Sequence, residues 1–458
     1  MSALAQHCLD FPDLSAVTLD EAGLSDRDAA FMHAVYDAAV RRWSTLEWIV
    51  SRAGGRESSQ LDPVTRAGLL AGSAQLLLLD RVPDHAAIDR SVEWVKQTKG
   101  RGASGLVNAV LRKVAASRAR ADDGFRLFRD RWSNRRDEIP LGDGRALILK
   151  GDILPQDNAR RAAVATSVSQ WLVERWSDRL GLEEAGRIAW HSIGPAPVIL
   201  NAAHAAGPVE FPVAAGGSLV LRKHDRPGHL CVEGPRAALV GYLESRSDVW
   251  VQDPSSSEAV ESVSDLSPSL VVDLCAGQGT KTRQLAATFP RSRIVATDVD
   301  ARRLATLRKV TAGMERVQTV DSCDVEAVAR GRADLVLLDV PCSNSGVLAR
   351  RIEARHRAGP EQLARLTQIQ EAILDRAVSL CSPGGFILYS TCSIEEEENQ
   401  AAVRSAAQRH SLVASRVRRT LPGGGPGAAE TAYRDGSFSA VLGRTAVEQA
   451  GGVHSASR

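Results

Sequence analysis

Apolar positions along the first quarter of the chain recur at helical spacing. After Ser25 or Asp26, either of which can cap a helix, Phe31, Val35, Ala38 and Ala39 fall on one stripe. Asp62 followed by Pro63 predicts a second helix, because Asp accepts hydrogen bonds from first-turn amides and Pro needs no partner there. Its body, Ala67 to Leu79, is apolar on nearly every side, which puts it at the centre of a bundle. Pro83 and Asp84 open a further helix to about Lys99, and Gly105 to Lys113 predicts another with a basic end. Between Leu24 and Val114 little reads as a strand, so this region is expected to be all-α.

The pattern then changes. From Ala115 to Leu154 the chain is charged and broken by Gly and Pro, notably at Ile139-Pro-Leu-Gly-Asp-Gly144, which predicts a linker, bounded here at 121–165. From Pro197 to Trp250 short β-like pieces such as Val198 to Leu200 and Ser218 to Leu221 alternate with Gly and Pro, suggesting a small α+β lobe. Beyond 251 come short apolar runs bounded by turn residues, the signature of buried parallel strands: Leu270 to Leu274, Arg293 to Asp298, Leu335 to Leu338 and Phe386 to Leu388. After Leu412 the chain becomes rich in Gly and Pro, and residues 446–458 read as a disordered tail.

Length and composition narrow this picture. A chain of 458 residues is too long for one ordinary core. Apolar content of 44% with 24% charged residues is that of a soluble protein, and no apolar run approaches the roughly 20 residues needed to cross a bilayer. The start, Met1 to Pro12, lacks the basic and apolar segments of a secretory signal. The seven cysteines are odd in number and widely spread with no CxxC pair, which favours reduced thiols in a cytoplasm. A net charge of +2 does not announce a nucleic-acid binder. Arginines nevertheless gather between Arg112 and Arg136 and again at Arg350, Arg351, Arg355 and Arg357, where they could neutralise phosphates or simply form a solvated face.

Candidate chemistry lies in the last third. Leu270 to Leu274 runs into Cys275-Ala-Gly-Gln-Gly-Thr-Lys-Thr282 and a helix follows. Glycines let backbone approach a ligand closely, and a helix N-terminus presents free N–H groups. The next strand ends in Asp298, about 20 residues on, where a ribose-binding carboxylate is expected. Gly277-Gln-Gly279 is followed by Thr280, Lys281 and Thr282, short of G-x-G-x-x-G, which favours a nucleoside without a pyrophosphate. Asp339-Val-Pro-Cys342 and Tyr389-Ser-Thr-Cys392 each follow an apolar run and deliver a thiol just beyond it. Sites in open α/β sheets form outside the carboxyl ends of strands, so the two thiols share a crevice if their strands are neighbours. Singly, each is as well explained as a small buried hydrophobe, as are Cys275, Cys323 and Cys381.

Several phrases carry a resemblance. Leu61-Asp-Pro63, Leu78 to Ala87 and Gly105 to Lys113, in that order, resemble the helical RNA-binding domain of the antitermination factor NusB, in the version fused to the front of bacterial ribosomal RNA methyltransferases. Val168 to Trp176 resembles the helix that opens the methyltransferase half. That half resembles RNA cytosine-C5 methyltransferases in its Pro-Cys phrase, in Gly384 to Ser393 trailed by Glu398-Asn399, and in the strand Arg434 to Leu442. The chain departs from the family in three phrases. It has Ala276-Gly-Gln-Gly-Thr-Lys-Thr282 for Ala-Pro-Gly-Gly-Lys-Thr, Ile199-Leu-Asn201 for Arg-Val-Asn, and Ile352-Glu-Ala-Arg355 after paired arginines where the family continues His-Pro-Asp.

The resemblance implies a multidomain architecture. An all-α NusB-like helical bundle (1–120) and a linker (121–165) would precede a small α+β RNA-binding lobe (166–250) and a Rossmann-like α/β class I S-adenosylmethionine methyltransferase domain (251–445). It implies that S-adenosyl-L-methionine is held by Cys275, Ala276, Gly277, Gln278, Gly279, Thr280, Lys281, Asp298, Asp339 and Asp324, the last of which reads equally as an exposed loop residue. Cys392 would attack cytosine C6, Cys342 would help release the product, and Asp339 would hold the base at its N3/N4 edge. Arg350, Arg351, Arg112 and Lys113 would contact RNA. The expected activity is methylation of cytosine C5 in RNA, foremost small-subunit ribosomal RNA, through a covalent cysteine–C6 adduct, by a cytoplasmic monomer without metal or membrane. Two alternatives stay open: the same chemistry on transfer RNA or another RNA, and a catalytically impaired RNA-binding ribosome-assembly factor.

Overall fold

The computed structural model describes residues 1–210 and 219–445. The expected disordered tail, 446–458, and Ser218 lie outside the described residues. The chain divides into two units, of which the first takes 1–196 together with 348–359 and 425–428.

The caps read from the sequence set the helices of the first unit. Ser25 accepts the Asp28 amide at the start of Asp26–Arg41, and Asp62 accepts the Thr65 amide at the start of Pro63–Leu78. Residues Thr65 to Leu77 of that second helix are all buried, as its apolar character on every side requires. Asp84–Lys99 and Arg101–Ala116 pack with it, and Ser2–Asp10 and Trp43–Gly54 complete the bundle.

The stretch expected to be a linker is folded. Phe128–Arg129, Ala146–Ile148 and Glu138–Pro140 form an antiparallel three-stranded sheet whose Ile139, Leu147 and Leu149 belong to the same core as the helices. Its charges, which suggested solvated chain, are spent internally. Glu138 is fully buried and accepts the Ser133 amide at 2.7 Å, the Arg135 amide at 2.9 Å and the Arg129 guanidinium at 3.1 Å. The helices Asn158–Thr166, Gln170–Leu180 and Leu182–His191 also belong to this unit, so the division falls at 196/197 rather than 165/166.

The arginine runs are likewise internal in large part. Arg118, Arg120 and Arg126 converge on Asp84, Arg129 and Arg135 on Asp137, and Arg136 on Asp152. Arg355 is fully buried. Its guanidinium donates to the carbonyls of Arg41 (2.8 Å), Thr166 (3.1 Å), Ser192 (2.7 Å) and Leu348 (2.9 Å). Arg357 donates to the Leu14 carbonyl at 3.2 Å. Neither is placed to meet phosphate through those bonds, which corrects the expectation for that group; Arg350 is half-buried and Arg351 exposed.

The second unit, 197–347 with 360–424 and 429 onward, holds two sheets. A four-stranded antiparallel sheet runs Val220–Lys223, His229–Glu233, Val198–Asn201, Trp250–Val251. The larger sheet is built from β1 (Leu270–Asp273), β2 (Arg293–Ala296), β3 (Val317–Thr319), β4 (Ala333–Asp339), β5 (Cys381–Thr391), β6 (Val413–Thr420) and β7 (Ser437–Gly443). Its order is β3-β2-β1-β4-β5-β7-β6. The first five strands are parallel, and β7 pairs antiparallel with β5 on one side and β6 on the other. This is a doubly wound arrangement whose strand order reverses between β1 and β4, where ligands bind in such sheets. Among the described residues no helix is long and apolar enough to cross a membrane.

Candidate active site

The condition on the two thiols is met, since β4 and β5 are neighbours with Asp339 opposite Ser390. Cys392 follows β5 directly and Cys342 stands three residues beyond β4, so both project from carboxyl ends. Asp339 sits at the mouth. Its Oδ2 accepts Lys281 Nζ at 2.8 Å and its Oδ1 the Ser390 hydroxyl at 2.9 Å, while its side chain stays 38% exposed. Lys281 also donates to Ser256 Oγ at 3.0 Å.

Beside this pair, the Gly-bearing turn between β1 and the helix Thr280–Thr288 is built around Asp298. The Asp298 carboxylate, beyond the end of β2, accepts the Gly277 amide at 2.9 Å and the Asp300 amide at 2.8 Å. Gly277 has φ +56° and Gly279 φ +95°, the left-handed region that favours glycine. A Cβ at Gly279 would stand 3.0 Å from Leu307 Cδ1, whereas one at Gly277 would meet nothing within 4 Å. The Gly277 side is therefore open to a ligand. Beneath the turn, the fully buried Asp273 accepts the Thr282 hydroxyl at 2.7 Å through Oδ2, and its Oδ1 has no partner. Burial, reinforced by the negative charges of Asp339 and Asp298, pushes the Asp273 carboxyl up to about 7. Burial and the same three carboxylates hold the Cys275 thiol well above its ordinary range, so it stays protonated. Asp324 lies in the short turn Ser322–Asp324 after β3 with its side chain exposed, and Arg376 fastens that turn through Ser322 Oγ at 2.8 Å.

The cysteine sulfurs are 3.2 Å apart. Contact with Cys392, then burial, then the charges of Cys392 and Glu398 push the Cys342 thiol up. Cys342 is buried and Cys392 partly exposed. The pair is thus unequal: Cys342 is withdrawn from water and keeps its proton, while Cys392 stays partly exposed.

A buried polar clamp ties the two loops together. Glu398, fully buried, accepts the Ser343 amide at 2.8 Å, the Ser343 hydroxyl at 2.5 Å and Gln370 Nε2 at 3.1 Å. Gln370 also donates to the Pro341 carbonyl at 2.9 Å. Ser393 Oγ lies 3.1 Å from Ser343 Oγ and 3.2 Å from Ser345 Oγ. Tyr389 donates its hydroxyl to the Glu398 carbonyl at 2.6 Å, fixing the turn that carries the carboxylate. Burial raises the Glu398 carboxyl above its ordinary value despite these donors.

The structure therefore brings together Cys392, Cys342, Asp339, Lys281, Asp298 and the turn from Cys275 to Thr280. Arg350, Arg351, Arg112 and Lys113 belong to the other unit, where Arg112 and Lys113 are exposed on Arg101–Ala116 and Arg112 donates to Asn108 at 3.1 Å. Sequence reasoning missed Asn344, Ser343, Gln370 and the clamp made by Glu398. The available signal was the density of polar residues, Ser343 to Ser345 and Ser393 to Glu398, immediately after two apolar strands.

Comparison with known proteins finds relatives of both parts of the chain. Residues 265–431 match the family described as 16S rRNA methyltransferase RsmB/F, and residues 4–116 match the NusB family. The chain is 27% identical over 404 residues to the ribosomal RNA small subunit methyltransferase B of Erwinia tasmaniensis, covering 85% of this chain and 84% of the relative. It is 28% identical over 399 residues to the Xanthomonas campestris protein of that name, covering 84% and 81%. It is 26% identical over 345 residues to the probable ribosomal RNA small subunit methyltransferase B of Bacillus subtilis, covering 73% and 70%. The solved structure of PH0851 has the same fold, with a TM-score of 0.68 at 21% identity over 92% of this chain and 91% of that one. The chain thus pairs a domain at 4–116 that matches the NusB family with one at 265–431 that matches the RsmB/F methyltransferase family.

Proposed function

We propose that this enzyme transfers a methyl group from S-adenosyl-L-methionine to C5 of a cytosine in RNA, foremost small-subunit ribosomal RNA, with Cys392 as nucleophile. The observation that carries the reading is the pair of thiols 3.2 Å apart at the ends of neighbouring strands, beside the Asp339 carboxylate.

The residues present fit the cofactor. The open side of Gly277 leaves room for it, Asp298 offers carboxylate lone pairs to ribose hydroxyls, and the unpartnered Oδ1 of Asp273 leaves a buried acceptor beneath the turn. Cys275 to Lys281 and Asp298 would hold it, with Asp339 and Asp324 at its margins. Bound there, the cofactor would supply an electrophilic methyl group.

Cytosine C5 is a weak nucleophile, so covalent catalysis divides the difficulty. The Cys392 thiolate adds to C6, forming an S–C6 bond and shifting the C5=C6 electron pair to C5. C5 would then use that pair to take the methyl group, whose bond to the cofactor's sulfur breaks with its electrons left on the sulfur. A base then removes the C5 proton, its bonding pair restores C5=C6, and the Cys392 thiolate leaves. Asp339 would accept a hydrogen bond from the N4 amino group and, when it carries a proton, hand it to N3, which neutralises the charge that thiolate addition brings to the ring. Cys342 is suited to the release step. While Cys392 is charged, it pushes the Cys342 thiol up; once Cys392 is a neutral thioether that repulsion ends, Cys342 gives up its proton to water more readily, and its thiolate can then take the C5 proton. A target base must be reached in a loop or flipped from its stack, and RNA contacts by Arg112, Lys113, Arg350 and Arg351 would serve its presentation.

The test is methyl transfer from labelled cofactor to unmodified small-subunit ribosomal RNA, with the modified base mapped. Labelled 5-methylcytosine in that RNA is expected. Transfer only to transfer RNA would replace the substrate, and no cofactor binding by calorimetry would leave an RNA-binding assembly factor.

A further inference from the structure

Asn344 touches both cysteines and has no place in the clamp or the reaction described above. We propose that Asn344 is a positioning residue that makes the two cysteines unequal: its carboxamide fixes the Cys392 thiol and dictates the direction of the hydrogen bond between the sulfurs. This rests on the reading of Cys392 as the attacker.

Asn344 has φ +61°, a conformation asparagine tolerates better than most side chains. A turn residue is therefore the bland explanation, but the side chain does more. Its Nδ2 donates to the Cys342 carbonyl at 3.0 Å, and its Oδ1 lies 3.3 Å from Cys392 Sγ. The orientation follows from the partners. A carbonyl oxygen can only accept, so the amide nitrogen must face Cys342, which leaves Oδ1 towards Cys392. An amide oxygen also only accepts, so Cys392 donates its S–H to it.

One hydrogen then remains for the 3.2 Å contact between the sulfurs, that of Cys342. The S–H bonds run in one direction, from Cys342 to Cys392 to Asn344. When Cys392 loses its proton to water, the donor it needs, Cys342 S–H, is already aimed at it. With the direction reversed, Cys342 would be the sulfur receiving the hydrogen bond, and its own hydrogen would point elsewhere and have to turn before it could reach a Cys392 anion. Asn344 thus selects the attacking thiol without touching substrate.

The test uses the full-length protein with Asn344→Gly and Asn344→Asp. Glycine keeps the left-handed backbone and removes the carboxamide; aspartate keeps shape and adds charge. Peptide mass spectrometry after brief iodoacetamide treatment, across pH and without RNA, reads each thiol, and steady-state methylation of unmodified small-subunit ribosomal RNA reads turnover. Wild type is expected to alkylate at Cys392 over Cys342 by about tenfold. N344G should bring the two towards parity and lower kcat about tenfold with KM within about twofold. N344D should move Cys392 alkylation upward by about one pH unit, because a carboxylate opposes a thiolate beside it. Wild-type selectivity and kcat in N344G would overturn the proposal and reduce Asn344 to a turn residue, as would preferential alkylation of Cys342 in wild type. If wild type methylates no RNA, the proposed reaction fails while alkylation still decides the role of Asn344.

Discussion

Cys342 and Arg355 lie in one run of chain, and both are withdrawn from water, yet they are satisfied in opposite ways. Arg355 gives its guanidinium to four backbone carbonyls, and burial together with Arg41 and Arg42 holds it well below the ordinary arginine range. Its partners are main chain and cannot be exchanged, so it fastens the segment 348–359 into the first unit. Cys342 is held by side chains, Cys392 at its sulfur and Asn344 at its carbonyl, and Glu398 grips the next residue. A side-chain network can change protonation as a reaction proceeds; a ring of carbonyls cannot. Burial of a polar residue is thus not in itself a mark of function, and the kind of partner separates a staple from a working group.

The contrast can be broken most forcefully at Arg355. Arg355→Met fills similar volume but leaves buried carbonyls without donors, a loss expected to cost on the order of 3–5 kcal/mol. Thermal unfolding of the full chain should show it, and an unchanged melting temperature would deny the staple. His356 offers a gentler probe of the same segment. Its Nε2 donates to the Val40 carbonyl at 2.8 Å, and burial followed by the Arg355 charge lowers its pKa to about 3. The neutral ring is stabilising above the unfolded value of about 6.5, and that contribution drains away as pH falls from there towards 3. Between pH 6.5 and 5 the loss is about 2 kcal/mol, and His356→Gln should flatten it in urea unfolding at the two pH values. On the other side of the comparison, Glu398→Gln turns an acceptor of three hydrogen bonds partly into a donor, which misplaces Ser343. A fall of about tenfold in kcat with unchanged cofactor affinity is expected. Equal kcat would show that the clamp does not position Cys342.

How much of this was legible in the sequence depended on where each element finds its partners. Helix starts at Ser25 and Asp62 and the apolar strands β1, β4 and β5 are local signals, and they appear where the pattern predicts them. The sheet within 121–165 was hidden because its strands are two or three residues long and its acids and arginines pair with one another rather than with water. β6 was hidden for a related reason. Val413, Arg418 and Arg419 are exposed on an edge strand, and Arg416, at φ +49°, turns inward to pair with Asp265 at 2.6 Å. At the site, Cys342, Cys392, Asp339 and Asp298 could be named because each ends an apolar run. Asn344 and Glu398 could not, because their roles exist only once β4 and β5 lie side by side and bring residues about 50 apart into contact.

The central claim is that the two thiols divide one reaction, and a pair of variants tests it directly. Cys392→Ala and Cys342→Ala are each incubated with S-adenosyl-L-methionine and unmodified small-subunit ribosomal RNA, then run on a denaturing gel for protein–RNA adducts. Cys392→Ala should neither methylate nor trap RNA, and Cys342→Ala should accumulate a covalent adduct that release cannot clear. Trapping by Cys392→Ala, with none by Cys342→Ala, would contradict the assignment and make Cys342 the attacker.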